Sequence, residues 1–353
     1  MKLSSLRAKV DRLDDQLVRL LEQRSEIAHE IGRQKLVSGQ AVFVPAREAA
    51  LFRRVTARLK GKMDPASLRS IYREILATGR QSQGSTRVAF LGPAASYCHQ
   101  AARERFGAAT DFVSCPTIAE IFSAVERGEV EAGVVPIENS NEGAVGATQE
   151  ALITAHTPIC GEIYLPIRHA LLSRTKSGPI RVLYSHPQAL AQCRHWLALH
   201  MGQVKLVEVA STAEGARRAS VEKGAAALAS PWAAQIYRLV VRQRDVQDRS
   251  GNSTRFYLLG QEPARATGKD KTSLLFTLPH RAGALHRALG VLAAKGLNLL
   301  KVESRPAPGK PWEYVFFVDV RGHIDRPDFH RALQKLEKQT QDLRILGSYP
   351  EER

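Results

Sequence analysis

An apolar stripe at heptad spacing runs through the first forty residues. Its members recur at alternating steps of four and three, the spacing of one helix face; they are Leu6, Val10, Leu13, Leu17, Leu20, Ile27 and Ile31. The stripe predicts one helix over residues 4–36. Gly39 and Pro45 interrupt it, and Pro45 suits the first turn of a second helix over 46–60. With a third helix over 65–81, the first block is predicted to be all-helical.

Length and composition limit the class of protein. A chain of 353 residues is too long for one ordinary core and predicts two or three domains. Hydrophobic content of 44% and charged content of 24% are typical of a globular protein. No apolar run approaches the ~20 residues of a membrane span, and the N-terminus lacks a secretory apolar region. The cysteines have no metal-ligand spacing and fit reduced thiols in a cytoplasmic protein; they are Cys98, Cys115, Cys160 and Cys193.

The chain is strongly basic, with a formal net charge of +16. Residues 1–80 hold 17 Lys+Arg and 9 Asp+Glu, a net of +8. These cations are spread singly at helical spacing, without a basic block or interleaved aromatic residues. The pattern favours binding of small anions over binding of nucleic acid.

The second block alternates strands and helices. Strands are predicted over 87–91, 132–137, 168–173, 180–184, 204–209 and 225–229. Helices are predicted over 96–106, 117–127, 143–154, 187–200 and 212–222. This alternation predicts an α/β architecture whose ligands bind at the carboxyl ends of strands.

The third block, 271–350, has the order strand, helix, strand, strand, helix, strand, which matches a ferredoxin-like fold. Residues 81–86, QSQGST, and residues 260–270 have linker composition.

An arginine occupies one position of the N-terminal stripe. Arg24 would be costly among core residues unless an anion neutralises it. Lys35 lies three helical turns further along nearly the same face, and Arg47 and Glu48 begin the second helix. Each arginine alone fits an ion pair between helices. Together with Lys35, the arginines favour an anion pocket.

Polar residues follow several strands of the second block. In AGVVPIENSNEGAV (132–145) an apolar strand ends in Glu138 and Asn139, and a similar change occurs at Ser185. Polar groups between a strand end and a helix N-terminus suit a carboxylate ligand. The segment NSTRF (252–256) precedes an apolar run. By composition alone a turn is the simpler interpretation of each segment.

The sequences LRAKVDRLDDQLVRLLEQRSEIAHEIGRQK and PAREAALFRRV resemble an AroQ-type chorismate mutase, a helical enzyme that forms an intertwined dimer. The resemblance implies that chorismate is held by Arg24, Lys35, Arg47, Glu48 and Gln83 of one protomer and by Arg7 of its partner. It places Lys35 and Gln83 at the ether oxygen as catalytic groups. Val44 and Gly79 depart from the residues usual in that family.

FLGPAASYCHQAA (90–102), AGVVPIENSNEGAV, VLYSHPQALAQCRHWL (182–197) and NSTRF together resemble prephenate dehydratase. The resemblance implies two α/β subdomains, as in periplasmic binding proteins, with prephenate in the cleft. The residues implied to bind it are Ser96, Glu138, Asn139, Ser185, Gln192, Thr254, Arg255 and Phe256. Thr254 and Arg255 are the implied catalytic residues, with the Thr254 hydroxyl bonded to the leaving hydroxyl group. His186, before Pro187 at a helix start, is more simply a cap than a proton shuttle.

KTSLLFTLPHRAGALHRAL and NLLKVESRPAPGKPWEYVFFVDVRGH resemble an ACT domain that senses phenylalanine. The resemblance implies an effector site at a dimer interface, built from Gly283, Ala284, Leu285, His286, Glu303, Ser304, Arg305 and Pro306. Glycine allows close approach of the effector, and Glu303 can meet its ammonium group.

The three resemblances point to the bifunctional chorismate mutase–prephenate dehydratase family. They imply a mutase domain over 1–83, a dehydratase domain over 87–262 and an ACT domain over 271–350. They imply chorismate and prephenate as substrates, L-phenylalanine as inhibitor and a homo-oligomer. No metal, organic cofactor, nucleic acid or membrane partner is expected. Two alternatives remain: a dehydratase whose helical domain only dimerises, and a non-catalytic amino-acid sensor.

Overall fold

The structure is a computed structural model that describes residues 2–40, 42–84, 86–309 and 312–352. The chain forms a helical unit, two α/β subdomains and a C-terminal α/β unit. Within the described residues, no helix combines the length and apolar character of a membrane span.

The helical unit consists of α1 (Leu3–Ser38), α2 (Pro45–Ala57) and α3 (Pro65–Gln83). The α1 helix ends at Gly39, whose φ of 64° is the left-handed conformation that favours glycine. The α3 helix begins where the Asp64 side chain accepts a hydrogen bond from the Ser67 N–H, 3.1 Å away. Only the C-terminal half of α1 packs closely on α3, and the apolar stripe of its N-terminal half is exposed.

The α/β region begins with β1 (Arg87–Leu91), α4 (Tyr97–Phe106), β2 (Asp111–Cys115), α5 (Ile118–Glu126), β3 (Ala132–Asn139), β4 (Gly143–Ala144), α6 (Gly146–Thr154) and β5 (Ile159–Pro166). It continues with β6 (Ala170–Ser173), β7 (Val182–Ser185), α7 (Pro187–Gln192), α8 (Arg194–His200), β8 (Lys205–Glu208), α9 (Thr212–Val221), β9 (Ala225–Ala229), α10 (Pro231–Ile236), β10 (Val240–Gln243) and β11 (Ser253–Gly260).

These strands form two sheets, one in each subdomain. The first has the order β2-β1-β3-β11-β5, with β4 on β3, and the second has the order β10-β6-β9-β7-β8. The chain crosses between the sheets after β5 and returns after β10. Because β11 runs antiparallel to β3, its first residues lie beside the carboxyl end of β3. The insertion of β11 between β3 and β5 brings the NSTRF segment to the edge of the sheet where parallel strands present ligand-binding loops.

The C-terminal unit contains β12 (Asp270–Thr277), α11 (Ala284–Ala293), β13 (Leu299–Pro306), β14 (Tyr314–Arg321), α12 (Pro327–Glu337) and β15 (Asp342–Pro350). Its antiparallel sheet has the order β13-β14-β12-β15, which is the ferredoxin-like arrangement. Side chains of β12, β14 and β15 join the core of the first subdomain, and β13 forms one edge of the sheet.

The predicted fold class is confirmed: an all-α unit, two α/β subdomains and a ferredoxin-like unit. The strands β2, β4, β5 and β10 and the helix α10 were not predicted, and β4 occupies the start of the predicted helix 143–154, so that α6 begins only at Gly146. In β5, Gly161 and Pro166 interrupt the apolar run, and tertiary burial on both faces makes it a strand. The predicted helix 187–200 is two helices, because the Asp248 carboxylate accepts bonds from the His195 and Trp196 N–H groups and starts α8 anew.

Candidate functional sites

A cleft of about 450 Å³ opens between the two α/β subdomains. The first subdomain contributes the carboxyl end of β3 and the start of β11. The second contributes the starts of α7 and α9. Among the predicted residues, those that line the cleft are Ser96, Asn139, Gln192, Thr254 and Phe256. The strand insertion therefore assembles groups more than one hundred residues apart in sequence.

Thr254 and Asn139 are cross-strand neighbours on the cleft face. The Asn139 Oδ1 accepts a bond from the Asn141 N–H (3.0 Å), and this bond fixes the orientation of the Asn139 amide. The Asn139 Nδ2 then donates to the Thr254 Oγ1 at 2.8 Å. Since the threonine oxygen accepts this bond, its own proton remains available for a group in the cleft.

The described lining of the cleft contains neither lysine nor arginine. The lining includes one carboxylate, Glu142, and three helix N-termini, because α4, α6 and α9 each begin at the cleft. Their first backbone N–H groups have no intrahelical acceptor, and the helix dipole adds partial positive charge. This arrangement suits a carboxylate ligand without a bound cation.

Arg255 and Glu138 lie on the opposite face of the same strand pair. Side chains alternate along a strand, so the neighbours of Thr254 and Asn139 turn away from the cleft. The Arg255 guanidinium is buried and pairs with Glu162 (Nε–Oε2, 2.8 Å) and Asp319 of β14 (Nη1–Oδ2, 2.7 Å). The expectation that Arg255 and Glu138 face the cleft is therefore corrected. Their position is against the C-terminal unit.

Ser185 and His186 occupy the end of β7. The Ser185 hydroxyl is fully buried and donates to the Leu228 carbonyl of β9 (2.7 Å). It therefore stabilises the sheet and does not line the cleft, contrary to the prediction. His186 lines the cleft and caps α7, because its Nδ1 accepts the Gln188 N–H at 3.3 Å. The cap predicted for His186 is thus present.

Three further cleft residues, Tyr97, His169 and Asn252, were not predicted as site residues. Asn252 is the first residue of the NSTRF segment. Its Oδ1 accepts from the Asn139 Nδ2 (2.9 Å), and its Nδ2 donates to the Gln192 Oε1 (3.0 Å). The signal for Asn252 was therefore in the sequence. His169 had no such signal, since the predicted strand 168–173 included it, whereas β6 begins only at Ala170.

The helical unit contains a second group of predicted residues, at the contact of α1 with α3. The Arg24 Nη1 donates to the Ile75 carbonyl (3.3 Å), and the Gln83 Nε2 donates to the Gly79 carbonyl (3.1 Å). A Cβ atom at Gly79 would lie 3.1 Å from the Arg24 Nη1, so the glycine leaves room for this arginine. Among the described residues, the buried Gln83 Oε1 has no hydrogen-bond partner.

Lys35 and Glu48 lie beside this contact. The Lys35 Nζ donates to the Val42 carbonyl (3.0 Å). Burial lowers the pKa of Lys35, and the nearby Glu48 carboxylate opposes that change. Glu48 itself is buried and pairs with Arg80 and with Arg105 of α4 (Oε2–Nη1, 2.8 Å). Both carboxylate oxygens thus already have cationic partners, one of them in the α/β region.

Arg47 and Arg7 remain exposed in this single chain. Arg47 lies in the first turn of α2. Arg7 precedes Arg24 by seventeen residues of one helix, about 25 Å along its axis. The structure therefore does not bring Arg7 to the other predicted mutase residues within one chain.

Three family models match successive parts of the chain. Chorismate mutase type II matches residues 6–84, prephenate dehydratase matches residues 88–264, and the ACT domain matches residues 272–338. The chain is 40% identical over 354 residues to the bifunctional chorismate mutase/prephenate dehydratase of Aquifex aeolicus, covering 99% of this chain and 98% of the relative.

The chain belongs to the bifunctional chorismate mutase/prephenate dehydratase family.

Solved structures resemble the last three quarters of the chain. The prephenate dehydratase from Arthrobacter aurescens, in complex with L-Phe, has a TM-score of 0.70 and 32% identity, covering 75% of this chain and 90% of that one. A structure described as GqqA, a novel type of quorum quenching acylase, has a TM-score of 0.68 and 32% identity, covering 75% and 97%. The predicted family, and the prediction of an enzyme with mutase and dehydratase domains, are confirmed.

The two predicted effector motifs of the ACT domain lie at the start of α11 and on β13. Gly283 precedes α11 with a φ of 76°, so glycine is favoured there. Ala284 is buried, Leu285 is half-buried and His286 is exposed. On the edge strand β13, Glu303 and Arg305 are half-buried. Ser304 and Pro306 are exposed on the same strand.

The β13 motif contacts the dehydratase domain. The Lys301 Nζ lies 2.8 Å from the Glu303 Oε2 and 3.1 Å from the Glu138 Oε2, so it bridges the two carboxylates. Arg305 donates to the Gly146 carbonyl at the start of α6. Glu303, which is predicted to bind the effector, is therefore linked through Lys301 to Glu138, the residue that precedes Asn139 in the chain.

Proposed function

We propose that the helical domain rearranges chorismate to prephenate. We further propose that the cleft between the α/β subdomains converts prephenate to phenylpyruvate, carbon dioxide and water. The observation that carries the second activity is the direction of the hydrogen bond from Asn139 to Thr254. The family relationship supports both activities. The domain boundaries 1–83, 87–262 and 271–350 remain part of the proposal.

In the dehydratase reaction, the bond to the carboxylate breaks and its electrons enter the ring. The ring becomes aromatic as the bond to the hydroxyl group breaks, so the driving force is intrinsic. The remaining task is to stabilise the negative charge that develops on the leaving oxygen. The Thr254 hydroxyl donates a hydrogen bond to this oxygen, and Phe256 packs beneath the ring. Helix N-termini hold the carboxylates in place of Arg255.

The mutase reaction is a rearrangement within one molecule and needs no nucleophile. Arg24 and Arg47 hold the carboxylates, and Lys35 and Gln83 stabilise charge on the breaking C–O bond. Within the part of the chain that the structure describes, the buried Gln83 Oε1 has no hydrogen-bond partner, and burial lowers the pKa of Lys35; both features support a polar pocket that takes a ligand. The proposed contact of Glu48 with chorismate requires it to share its oxygens with Arg80 and Arg105.

The exposed apolar stripe of α1 supports a homodimer. Leu13, Leu17 and Leu20 are each more than half exposed in the single chain. A second α1 helix would cover these residues and carry Arg7 to the partner's Arg24. Analytical ultracentrifugation of Leu13→Lys should show that the dimer is lost, and an assay with chorismate should show that mutase activity is lost with it. A dimer that persists in this variant would contradict the arrangement.

The resemblance to a described acylase defines a competing activity for the cleft. Acyl hydrolysis needs a nucleophile activated by a neighbouring base. Within the described residues, the hydrogen bond recorded for the Thr254 Oγ1 comes from Asn139, an amide donor and not a base. This geometry favours a hydroxyl that donates its proton over one that attacks.

The test is to assay each half-reaction with the purified chain. Prephenate should yield phenylpyruvate, seen by its absorbance in alkali, and chorismate should be consumed. Arg24→Ala should abolish consumption of chorismate and spare turnover of prephenate. Unchanged consumption would favour a helical domain that only dimerises. Thermal stabilisation by phenylalanine without any turnover of prephenate would favour a non-catalytic sensor.

The proposal includes feedback inhibition by L-phenylalanine at the ACT domain. The Arthrobacter aurescens relative was solved in complex with L-Phe. The effector ammonium would bind Glu303 in competition with Lys301, and the motif on α11 would approach the effector backbone at Gly283. Since Lys301 also binds Glu138, the effector would alter the strand that carries Asn139.

A further inference from the structure

His169 occupies the first crossing between the dehydratase subdomains. It is buried, and its backbone N–H donates to the Gln247 Oε1 (2.9 Å). Its carbonyl accepts a bond from the Val246 N–H (3.0 Å). Both partners belong to the return crossing. The backbone of His169 is therefore held where the two connections between the subdomains meet.

The imidazole of His169 joins groups from both sides of the cleft. Its Nε2 lies 3.0 Å from the Oε1 of Gln192, which belongs to α7 of the second subdomain. Its Nδ1 lies 3.0 Å from the hydroxyl of Tyr97 on α4 of the first subdomain. That hydroxyl also donates to the Arg168 carbonyl at 2.7 Å. The ring thus spans the base of the cleft.

The direction of each hydrogen bond follows from one fixed amide. The Asn139 Oδ1 accepts a backbone N–H, so its Nδ2 donates both to Thr254 and to the Asn252 Oδ1. The Asn252 Nδ2 must then donate to the Gln192 Oε1. Because that oxygen is an acceptor, the bond from His169 requires a proton on Nε2.

The protonation state of His169 agrees with this assignment. Burial lowers the pKa of His169, and its hydrogen bond to Gln192 opposes the change. A neutral ring carries one proton, and the Gln192 acceptor selects the Nε2–H tautomer. Nδ1 is then an acceptor, so the single proton of the Tyr97 hydroxyl forms a three-centre bond to Nδ1 and to the Arg168 carbonyl.

We infer that His169 is a positioning residue for the dehydratase reaction. Its Nε2–H holds the Gln192 amide so that Asn252 and Asn139 keep the Thr254 proton directed at the substrate. Because Gln192 belongs to the other subdomain, this bond also ties the arrangement of the two subdomains to the orientation of the catalytic hydroxyl. The inference rests on the proposed dehydratase activity.

Two amide variants separate this role from simple space filling. In His169→Gln the side-chain N–H can reach the position of Nε2, whereas in His169→Asn it reaches only that of Nδ1. We expect His169→Gln to lower the dehydratase kcat by about threefold. His169→Asn should lower it by about 10²-fold, the effect of a misplaced catalytic group, with less than about threefold change in KM. Mutase activity should be unchanged in both variants.

Equal dehydratase kcat values for the two variants, at equal thermal stability, would overturn the inference. If neither variant folds, ¹⁵N NMR of the histidine ring in the wild-type chain decides: the Nε2–H tautomer supports the inference, and the Nδ1–H tautomer refutes it. Failure of the wild type to convert prephenate would count against the proposed function itself. A difference confined to the variants bears on His169 alone.

Discussion

At the scale of single residues, the dehydratase site depends on which face of a strand each side chain occupies. Thr254 and Arg255 are adjacent in sequence, yet one faces the cleft and the other is buried against the ACT domain. The amide of Asn139 then determines that the threonine accepts one bond and keeps its proton for another. A hydrogen-bond direction, rather than a charge, distinguishes this site.

Removal of the Thr254 hydroxyl tests this assignment. Thr254→Val keeps the side-chain shape and removes the donor to the leaving oxygen, so we expect the dehydratase kcat to fall about 10²- to 10³-fold. Thr254→Ser keeps the hydroxyl and should retain much more activity. Steady-state assays with prephenate measure both, and mutase turnover serves as the internal control. Equal activities of the valine and serine variants would contradict the role of the hydroxyl.

His99 is a half-buried histidine whose titration should make the stability of the folded chain depend on pH. It stacks on Phe90 (ring centroids 4.2 Å apart) and lies 4.9 Å from Trp232 of the second subdomain. Its Nδ1 accepts the Ala95 N–H. Burial, together with Arg103, lowers the pKa of His99 to about 4 from 6.5. Between these two pKa values the unfolded chain binds more protons than the folded chain, so the free energy of unfolding decreases as the pH falls through this range.

The comparison is between the wild type and His99→Gln, which cannot titrate in this range. On lowering the pH from about 6.5 to 4, the thermal midpoint of the wild type should fall further than that of the variant. Differential scanning calorimetry at several pH values measures the difference. Parallel pH profiles would show that His99 does not couple to unfolding.

At the scale of elements, the position of β15 against β5 joins the ACT domain to the dehydratase domain. A Cβ atom at Gly347 would overlap the carbonyl oxygen of Ile159 and lie 2.9 Å from its backbone carbon and nitrogen. Backbone atoms cannot move aside as a flexible side chain can. The bare glycine therefore allows the two strands to approach.

Gly347→Ala should force β15 away from β5. We expect a loss of about 1–3 kcal/mol in the free energy of unfolding, the usual cost of overpacking. Phenylalanine inhibition should weaken as well, since the ACT domain would lose its close contact. Gly268→Ala provides a comparison at a glycine with no atom within 4 Å of a built Cβ, although its positive φ carries its own strain. Denaturant unfolding that finds Gly347→Ala no less stable than the wild type would contradict the packing argument.

At the scale of the whole molecule, buried ion clusters connect the three domains. Glu48 of the mutase domain binds Arg105 of the dehydratase helix α4. Glu162 of the dehydratase domain binds Lys271 of the ACT domain at 2.6 Å, and burial lowers the pKa of that lysine while Glu162 opposes the change. Breaking a buried pair leaves an uncompensated charge, so each cluster favours one arrangement of the domains.

Lys301 tests whether the ACT domain reaches the dehydratase site by this route. In Lys301→Met the bridge from Glu303 to Glu138 is lost: phenylalanine no longer competes with a lysine for Glu303, but its binding is uncoupled from the dehydratase site, so the dehydratase activity that remains at saturating phenylalanine should rise about tenfold. Lys301→Arg keeps the charge and is the matched control. Calorimetry should still detect phenylalanine binding to the methionine variant. Inhibition of Lys301→Met as complete as that of the wild type at saturating phenylalanine would exclude the bridge as the coupling element.

Patterns within the sequence were enough to predict the periodic elements and the family. The heptad stripe predicted α1, the βαββαβ order predicted the ACT fold, and quoted motifs placed Asn139, Gln192 and Thr254 in one cleft. These features depend on local periodicity and short motifs, which a single chain displays directly.

The face that each motif residue occupies, and the residues that complete the site, depend on contacts between distant parts of the chain. The antiparallel pairing of β11 with β3 turns Arg255 and Glu138 toward the ACT domain, and no local sequence pattern predicts that pairing. His169 joins the site through contacts with Tyr97 and Gln192, which lie 72 and 23 residues away in sequence. Such contacts are set by packing between subdomains, because a side chain's neighbours across a cleft depend on the whole fold and not on its own segment.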